Sequence, residues 1–303
     1  MAELPTNARP QAGELQGRFL KAVRAAVRAA LPSILAAHSA PTRAATTKSD
    51  GSLVTSTDRD VERLFISALR DALPGVPVVA EESEAERIAD FAGSAEEFYS
   101  LLFAHQSLVV VDPIDGTKNF VEGRNEFCIA AALVSRVEGG VWPTCGVVGI
   151  PLEDRMVWTD GASVKDECVS SGEVRELTRD ESAAQAVSVS SADRRWLSEH
   201  RLELLHPWVS SGSSVYDMLG TVTGRLKGSI IGSQRLWDVM APVALADALG
   251  LALRDLSSGE RVRAIVPQDL SAEISGRPWG LARKFAIVPA DRGVSEVVAT
   301  SAL

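Results

Sequence analysis

The chain has 303 residues, 46% hydrophobic and 23% charged, with 40 acidic against 31 basic side chains and a net charge of −9. This length supports a large core without staples, and the acidic balance excludes a general nucleic-acid binder, which needs a basic face to displace counterions. Three cysteines without CxxC spacing and four histidines without HxH or HExxH patterns exclude a disulfide scaffold, a zinc ribbon and a His-rich metal centre.

Residues 1–10 carry no apolar signal core. The uncharged stretch over 29–42 is too short to span a bilayer and contains Pro32 and Pro41, so a cytoplasmic protein without membrane association is expected. Residues 12–39 predict an amphipathic helix, because Leu15, Phe19, Val23, Val27 and Leu31 recur at every fourth position. Pro32 is expected to end or kink it. Residues 58–73 predict a second helix with Val61, Leu64, Phe65, Ala68 and Leu69 turned inward. Gly75 and Pro77 break it before a short strand over 76–80. The acidic, irregular stretch 84–106 contains a helix over 95–103 and reads as a flap over the site or as a plain insertion, the flap being slightly favoured.

Leu108-Val109-Val110-Val111 reads as a buried strand that stops at Asp112-Pro113. Further strands are predicted over 126–134, 144–150 and 155–159. In the second half, residues 187–190 alternate as a strand, 213–224 predict a helix, and Ile230-Ile231 lie in a strand. Residues 239–249 predict an apolar, Ala-rich helix closed by Gly250. Short strands follow over 251–256, 261–265 and 285–288, with Pro289 leading to a short closing helix. The mixture predicts a layered α+β architecture divided into halves at residues 1–160 and 161–303.

Four places put carboxylates at the ends of predicted elements. In Val109-Val110-Val111-Asp112-Pro113-Ile114-Asp115-Gly116-Thr117-Lys118-Asn119-Phe120, a buried strand delivers two acids three residues apart. Pro113 stiffens the turn, and Gly116 permits close backbone approach to a ligand. Thr117 supplies a hydroxyl and an N–H at the start of a helical turn, which suits a phosphate. Carboxylates repel phosphate unless hard divalent cations lie between them, held by oxygen ligands. Val78-Val79-Ala80-Glu81-Glu82-Ser83 is the second such place. Asp238, in Leu236-Trp237-Asp238, and Asp58, after Thr55, are the third and fourth, each readable singly as a helix N-cap. Convergence of all four predicts a site for two or more Mg²⁺ ions, suited to in-line phosphoryl displacement.

Residues 109–120 match the Asp-Pro-Ile-Asp-Gly-Thr-x-x-Phe motif in full, and Glu81-Glu82-Ser83, Trp237-Asp238 and Thr55-x-x-Asp58 follow in order. In these motifs the chain resembles the inositol monophosphatase superfamily of magnesium-dependent, lithium-sensitive phosphatases. The resemblance covers roughly residues 15–255. It implies the layered αβαβα sandwich shared by inositol monophosphatase and fructose-1,6-bisphosphatase, and a homodimer. It assigns Glu81, Asp112 and the carbonyl of Ile114 to one metal, and Asp112, Asp115 and Asp238 to a second, with Glu81 reaching a third through water. Thr117 and Asp58 resemble the pair that orients the attacking water. Glu81 is grouped with them as catalytic. The N–H groups of Gly116 and Thr117 are implied to hold the phosphate, and Gly212-Ser213-Ser214, with Asp238, to face the substrate.

The match departs at Ile231, where inositol-binding members carry an acid seven positions before the metal-binding Asp, and at Lys227. This departure predicts an enzyme that is not a strict myo-inositol 1-phosphatase, because an apolar residue accepts no hydroxyl hydrogen bond. Lys118, Lys227 and Arg235 either favour an anionic leaving group or second phosphate on the substrate or are solvated surface charges. Substrates within reach are inositol phosphates, phosphorylated sugars, histidinol phosphate and 3′-phosphoadenosine phosphate. A haloacid-dehalogenase-type phosphatase requires acids two apart, and here they are three apart. A P-loop enzyme requires GxxxxGK[ST], which is missing. A non-catalytic phosphate-binding protein on the same fold is the alternative of a different class.

Overall fold

The computed structural model describes residues 12–48, 51–83, 94–271 and 279–300. The first helix spans Ala12–His38 and buries Phe19, Val23, Val27, Ala30 and Ile34 along one stripe. Pro32 lies inside it and does not end it. The residue is exposed, and Ile34 continues the buried stripe beyond it.

A hairpin of β1 (Ala45–Thr47) and β2 (Leu53–Thr55) leads into the helix Ser56–Ala72. Asp58 is the third residue of that helix, not its cap. Thr55 is the cap, and the Asp58 carboxylate accepts back from the Thr55 N–H at 2.9 Å. The helix Leu236–Ala248 starts in the same way. Arg235 caps it, and Asp238 accepts from the Arg235 N–H at 2.8 Å.

A seven-stranded sheet follows the order β3 (Val78–Ala80), β4 (Ser107–Asp115), β5 (Cys128–Val137), β6 (Gly140–Ile150), β7 (Arg155–Thr159), β8 (Val164–Cys168) and β9 (Val174–Glu176). The β3–β4 pair is parallel and the rest are antiparallel. The apolar run in β4 alternates between two cores. Val109 and Val111 face the helices Ala12–His38 and Ser56–Ala72, whereas Leu108 and Val110 face Leu236–Ala248.

The second sheet has the order β12 (Trp208–Val209), β10 (Val187–Val189), β13 (Gly228–Ile231), β15 (Phe285–Pro289) and β14 (Leu251–Asp255). The helices Ser214–Thr223 and Leu236–Ala248 are sandwiched between the two sheets. The helix Ser191–Glu199 covers the outer face of the second sheet through Leu197. The layers therefore run αβαβα. The last strand of the first sheet ends at Glu176, and the first strand of the second begins at Val187.

Several local readings change. Residues 261–265 form only isolated bridges, Arg261 to Arg254 and Ile265 to Val141. The expected closing helix is a single 3-10 turn, Val294–Glu296, before β16 (Val298–Thr300), which pairs with β11 (Leu202–Leu204). Of the expected flap, residues 84–93 lie outside the described residues, and the helix Ala95–Phe103 is present. The three cysteines are unpaired. No described helix is long and apolar enough to cross a membrane.

Candidate active site

The site forms where β3 and β4 end together. β4 runs past Pro113 to Asp115, and its pairing with β5 shifts register between Asp112 and Asp115. This irregularity turns both carboxylates toward one cleft. Its volume is about 510 Å³, and Glu81, Asp112, Asp115, Thr117, Arg235 and Asp238 are among the residues lining it. Ile114, Gly116, Gly212 and Ser214 line it too.

One carboxylate oxygen each from Asp112, Asp115 and Asp238 lies within 4.8 Å of the other two. Asp112 is 1% exposed, and its Oδ1 meets no hydrogen-bond donor among the described residues. Burial, then the charges of Glu81, Asp115 and Asp238, hold the Asp112 carboxyl well above the ordinary carboxylate range. Burial and Asp238 push Asp115 up to about 8, against hydrogen bonds from Ser213 and Val215. Burial raises Asp238 to about 6. Asp112 and Asp238, this close together, repel each other when both are ionised. A divalent cation removes all these penalties at once. The donor set, oxygen only and short of positive charge, fits Mg²⁺.

Glu81 stands at the edge of this triad. Lys48 Nζ donates to Glu81 at 2.9 Å and to Glu82 at 2.6 Å, and Arg235 Nη1 lies 3.6 Å from Glu81. Burial alone would lower the Lys48 pKa, but the two glutamates outweigh it and raise it. Burial and Glu81 push the Glu82 carboxyl up to about 7. Lys48 was not legible as a site residue, because it lies in a polar stretch with no local pattern of its own.

Thr117 opens the short helix Thr117–Glu122, with Gly116 as its left-handed cap at φ +88°. A Cβ on Gly116 would meet Ser213 Cβ at 2.9 Å, so glycine is required there both for conformation and for room. The Thr117 hydroxyl lies 3.0 Å from Asp58 Oδ1 and 3.1 Å from the Ile114 carbonyl. Asp58 is fully buried, and burial raises its pKa against hydrogen bonds from Thr55 and Thr117.

Gly212, Ser213 and Ser214 arrive from the second half and play different parts. Ser213 is 1% exposed, caps the helix Ser214–Thr223, and donates its hydroxyl to Asp115. The Val215 N–H donates to the same oxygen at 2.9 Å. Gly212 and Ser214 reach the cleft itself. Asn119 holds this loop by donating to the carbonyls of Ser211 at 2.9 Å and Glu126 at 2.6 Å.

The expected leaving-group residues divide. Arg235 lines the cleft and Lys118 is at its rim, 74% exposed. Ile231 and Lys227 do not line it. Ile231 is 2% exposed within the core between the sheets, opposite Phe285 on β15. Its apolar character is therefore explained by packing, and the specificity argument built on it fails.

A sequence model described as the inositol monophosphatase family matches residues 16–280. The chain belongs to the inositol monophosphatase family. It is a phosphatase, a phosphoric monoester hydrolase, as members of that family are. It is 30% identical over 213 residues to the 3′(2′),5′-bisphosphate nucleotidase CysQ of Shigella flexneri, covering 69% of this chain and 78% of that one. It is 23% identical over 209 residues to the inositol-1-monophosphatase of Bacillus subtilis, covering 65% and 70%. Among solved structures, CysQ from Bacteroides thetaiotaomicron superposes with a TM-score of 0.63 at 18% identity, over 91% of this phosphatase and 98% of that chain. These likenesses establish the αβαβα fold and the family, whose members are magnesium-dependent.

Proposed function

We propose that this phosphatase hydrolyses a small phosphorylated metabolite by Mg²⁺-assisted attack of water. Asp112, Asp115, Asp238, Glu81 and the Ile114 carbonyl would hold two or three ions. The observation that carries this reading is the buried Oδ1 of Asp112, which meets no donor among the described residues, within a triad of carboxylates that otherwise repel one another. A solved inositol monophosphatase/NADP phosphatase of the same fold, TM-score 0.60 and 17% identity, holds Mg²⁺ and phosphate. When bound, the ions supply charge neutralisation and a more acidic water.

The chain's own groups supply the rest. Gly116 and Thr117 present backbone N–H groups to the phosphate at the start of a helix. Asp58, fixed by its own capping bond, holds the Thr117 hydroxyl so that its oxygen accepts from a water. Asp58 then takes the proton that Thr117 relays. Ser213 and the Val215 N–H keep one oxygen of Asp115 occupied and orient the other. Gly212 and Ser214 bound the substrate side.

A second reading concerns the substrate. Arg235 places a guanidinium in the cleft wall, 14% exposed, and CysQ of Shigella flexneri is among the relatives. Both favour a substrate with two phosphates, such as a 3′(2′),5′-bisphosphate nucleotide, over a neutral polyol phosphate. On the same family likeness the enzyme is a cytoplasmic homodimer inhibited by lithium. A panel of inositol 1-phosphate, fructose 1,6-bisphosphate, histidinol phosphate and 3′-phosphoadenosine 5′-phosphate, compared by kcat/KM with Mg²⁺, tests the assignment. A preference for inositol 1-phosphate above about tenfold, or about 1.4 kcal/mol, would reject the second reading. Failure to release phosphate from any ester would reject the first.

A further inference from the structure

A second cavity, about 670 Å³, opens between the helix Ala12–His38 and the β7–β8 hairpin, and shares no lining residue with the catalytic cleft. Gln16, Lys21, Arg24, Arg28, Trp158 and Asp160 surround it. Gly13 and Gly17 form part of its wall, and a Cβ on either would meet nothing within 4 Å among the described residues.

Beneath it lies Glu167, wholly buried. Its carboxylate accepts from Arg24 Nε at 3.0 Å and Nη2 at 2.7 Å, from Arg28 Nη2, and from Trp158 Nε1 at 3.0 Å. The Arg24 guanidinium lies 4.3 Å from the centroid of the Trp158 ring. Both guanidiniums are thus fixed in place before any ligand arrives. One arginine suffices to neutralise Glu167, and the second leaves a surplus charge at the cavity. Lys21 adds an exposed ammonium. The acid at the rim, Asp160, accepts from the N–H groups of Ala162 at 2.9 Å and Ser163 at 3.1 Å. The cavity therefore carries three cations against two carboxylates, in a chain whose net charge is −9. Arg24 Nη1, Arg28 Nε and Nη1, and Lys21 Nζ find no acceptor among the described residues.

We propose that this cavity binds a small phosphorylated metabolite with a planar ring, of nucleoside-monophosphate type, independently of the catalytic cleft. The free guanidinium N–H groups and Lys21 receive the phosphate. Fixed guanidiniums suit its oxygens in a fork geometry. The Arg24–Trp158 pair presents a flat surface for the ring, and the Gln16 amide offers a donor and an acceptor to the ring edge.

The test is isothermal titration of the metal-free protein, stripped by chelating resin, with AMP and with inorganic pyrophosphate. Without metal, the carboxylates of the catalytic cleft disfavour anions there. We expect saturable binding of AMP that weakens as salt rises. Lys21→Gln with Arg28→Gln should weaken it by about tenfold or more through loss of two charge-assisted contacts. Lys21→Gln alone leaves the Glu167 network intact and should still weaken binding measurably, which covers the case of a misfolded double variant. The Mg²⁺-dependent turnover of both variants should equal that of the wild type. Binding of pyrophosphate without AMP would overturn the ring. Binding of neither, or unchanged affinity in the charge variants, would overturn the site.

Discussion

The Thr117 hydroxyl lies 3.0 Å from Asp58 Oδ1, while Asp58 Oδ2 accepts from the Thr55 N–H at 2.9 Å. One carboxylate thus caps a helix with one oxygen and steadies a hydroxyl in the cleft with the other. Thr117→Ala is expected to lower kcat by about 10²-fold with little change in KM, because the hydroxyl acts on the attacking water and not on substrate affinity. Thr117→Ser should recover most of the loss. Asp58→Asn should lower kcat and also cost about 1 kcal/mol of stability through the weakened cap. Steady-state kinetics alongside thermal unfolding separate the two effects. Equal losses in Thr117→Ser and Thr117→Ala would indicate that the hydroxyl does not act in this way.

Much of this was legible in the sequence, and the reason is local. Asp112-Pro113-Ile114-Asp115-Gly116-Thr117 is continuous, so a strand end and a glycine turn suffice to place both acids. Asp58 and Asp238 read as helix caps because acids near helix starts are favoured wherever they stand. Their true position, three residues into each helix with the carboxylate folded back, depends on Thr55 and Arg235 taking the cap. Lys48 was not legible, since only the tertiary fold brings it to Glu81 and Glu82. Ile231 was misread for the opposite reason. Its spacing from Asp238 suggested the cleft, but the pleat of β13 turns it into the core.

That correction makes its own prediction. Ile231→Glu should not improve inositol phosphate turnover. It should instead destabilise the protein by about 3 kcal/mol or more, the cost of burying an unpaired carboxylate. Chemical denaturation measures this directly. A folded variant with improved inositol 1-phosphate turnover would return Ile231 to the substrate site.

Arg235→Ala should raise KM for 3′-phosphoadenosine 5′-phosphate by about tenfold while leaving a substrate with a single phosphate less affected, since a charge-assisted contact contributes about 1.5–3 kcal/mol. The comparison must be made at saturating Mg²⁺, because Arg235 also lies 3.6 Å from Glu81. Equal changes for both substrates would show that Arg235 acts on Glu81 alone.

Stability should depend on pH in a direction set by the triad. Asp115, near 8, and Asp238, near 6, sit above the ordinary value of about 3.9. A raised folded pKa means that the folded state binds more protons. The metal-free protein is therefore favoured at acid pH and loses that stability as pH rises through 6 and then 8. Glu82, near 7, acts in the same direction. Thermal unfolding of metal-free protein should show a Tm that falls between about pH 5 and pH 8.5. Added Mg²⁺ should raise Tm more at pH 8 than at pH 6, because binding releases the protons that the triad otherwise retains. A Tm gain from Mg²⁺ that is the same at both pH values would contradict the proposed ligands.

The most direct measurement is phosphate release by wild type and by Asp112→Asn, each stripped of metal and then titrated with Mg²⁺. The account predicts no turnover in stripped wild type and full recovery with Mg²⁺. Asp112→Asn should recover only at much higher Mg²⁺ and with kcat reduced by about 10²-fold or more, because its carboxylate is the buried ligand at the centre of the triad. Turnover by stripped wild type, or an Asp112→Asn variant as active as wild type at the same Mg²⁺ concentration, would contradict it.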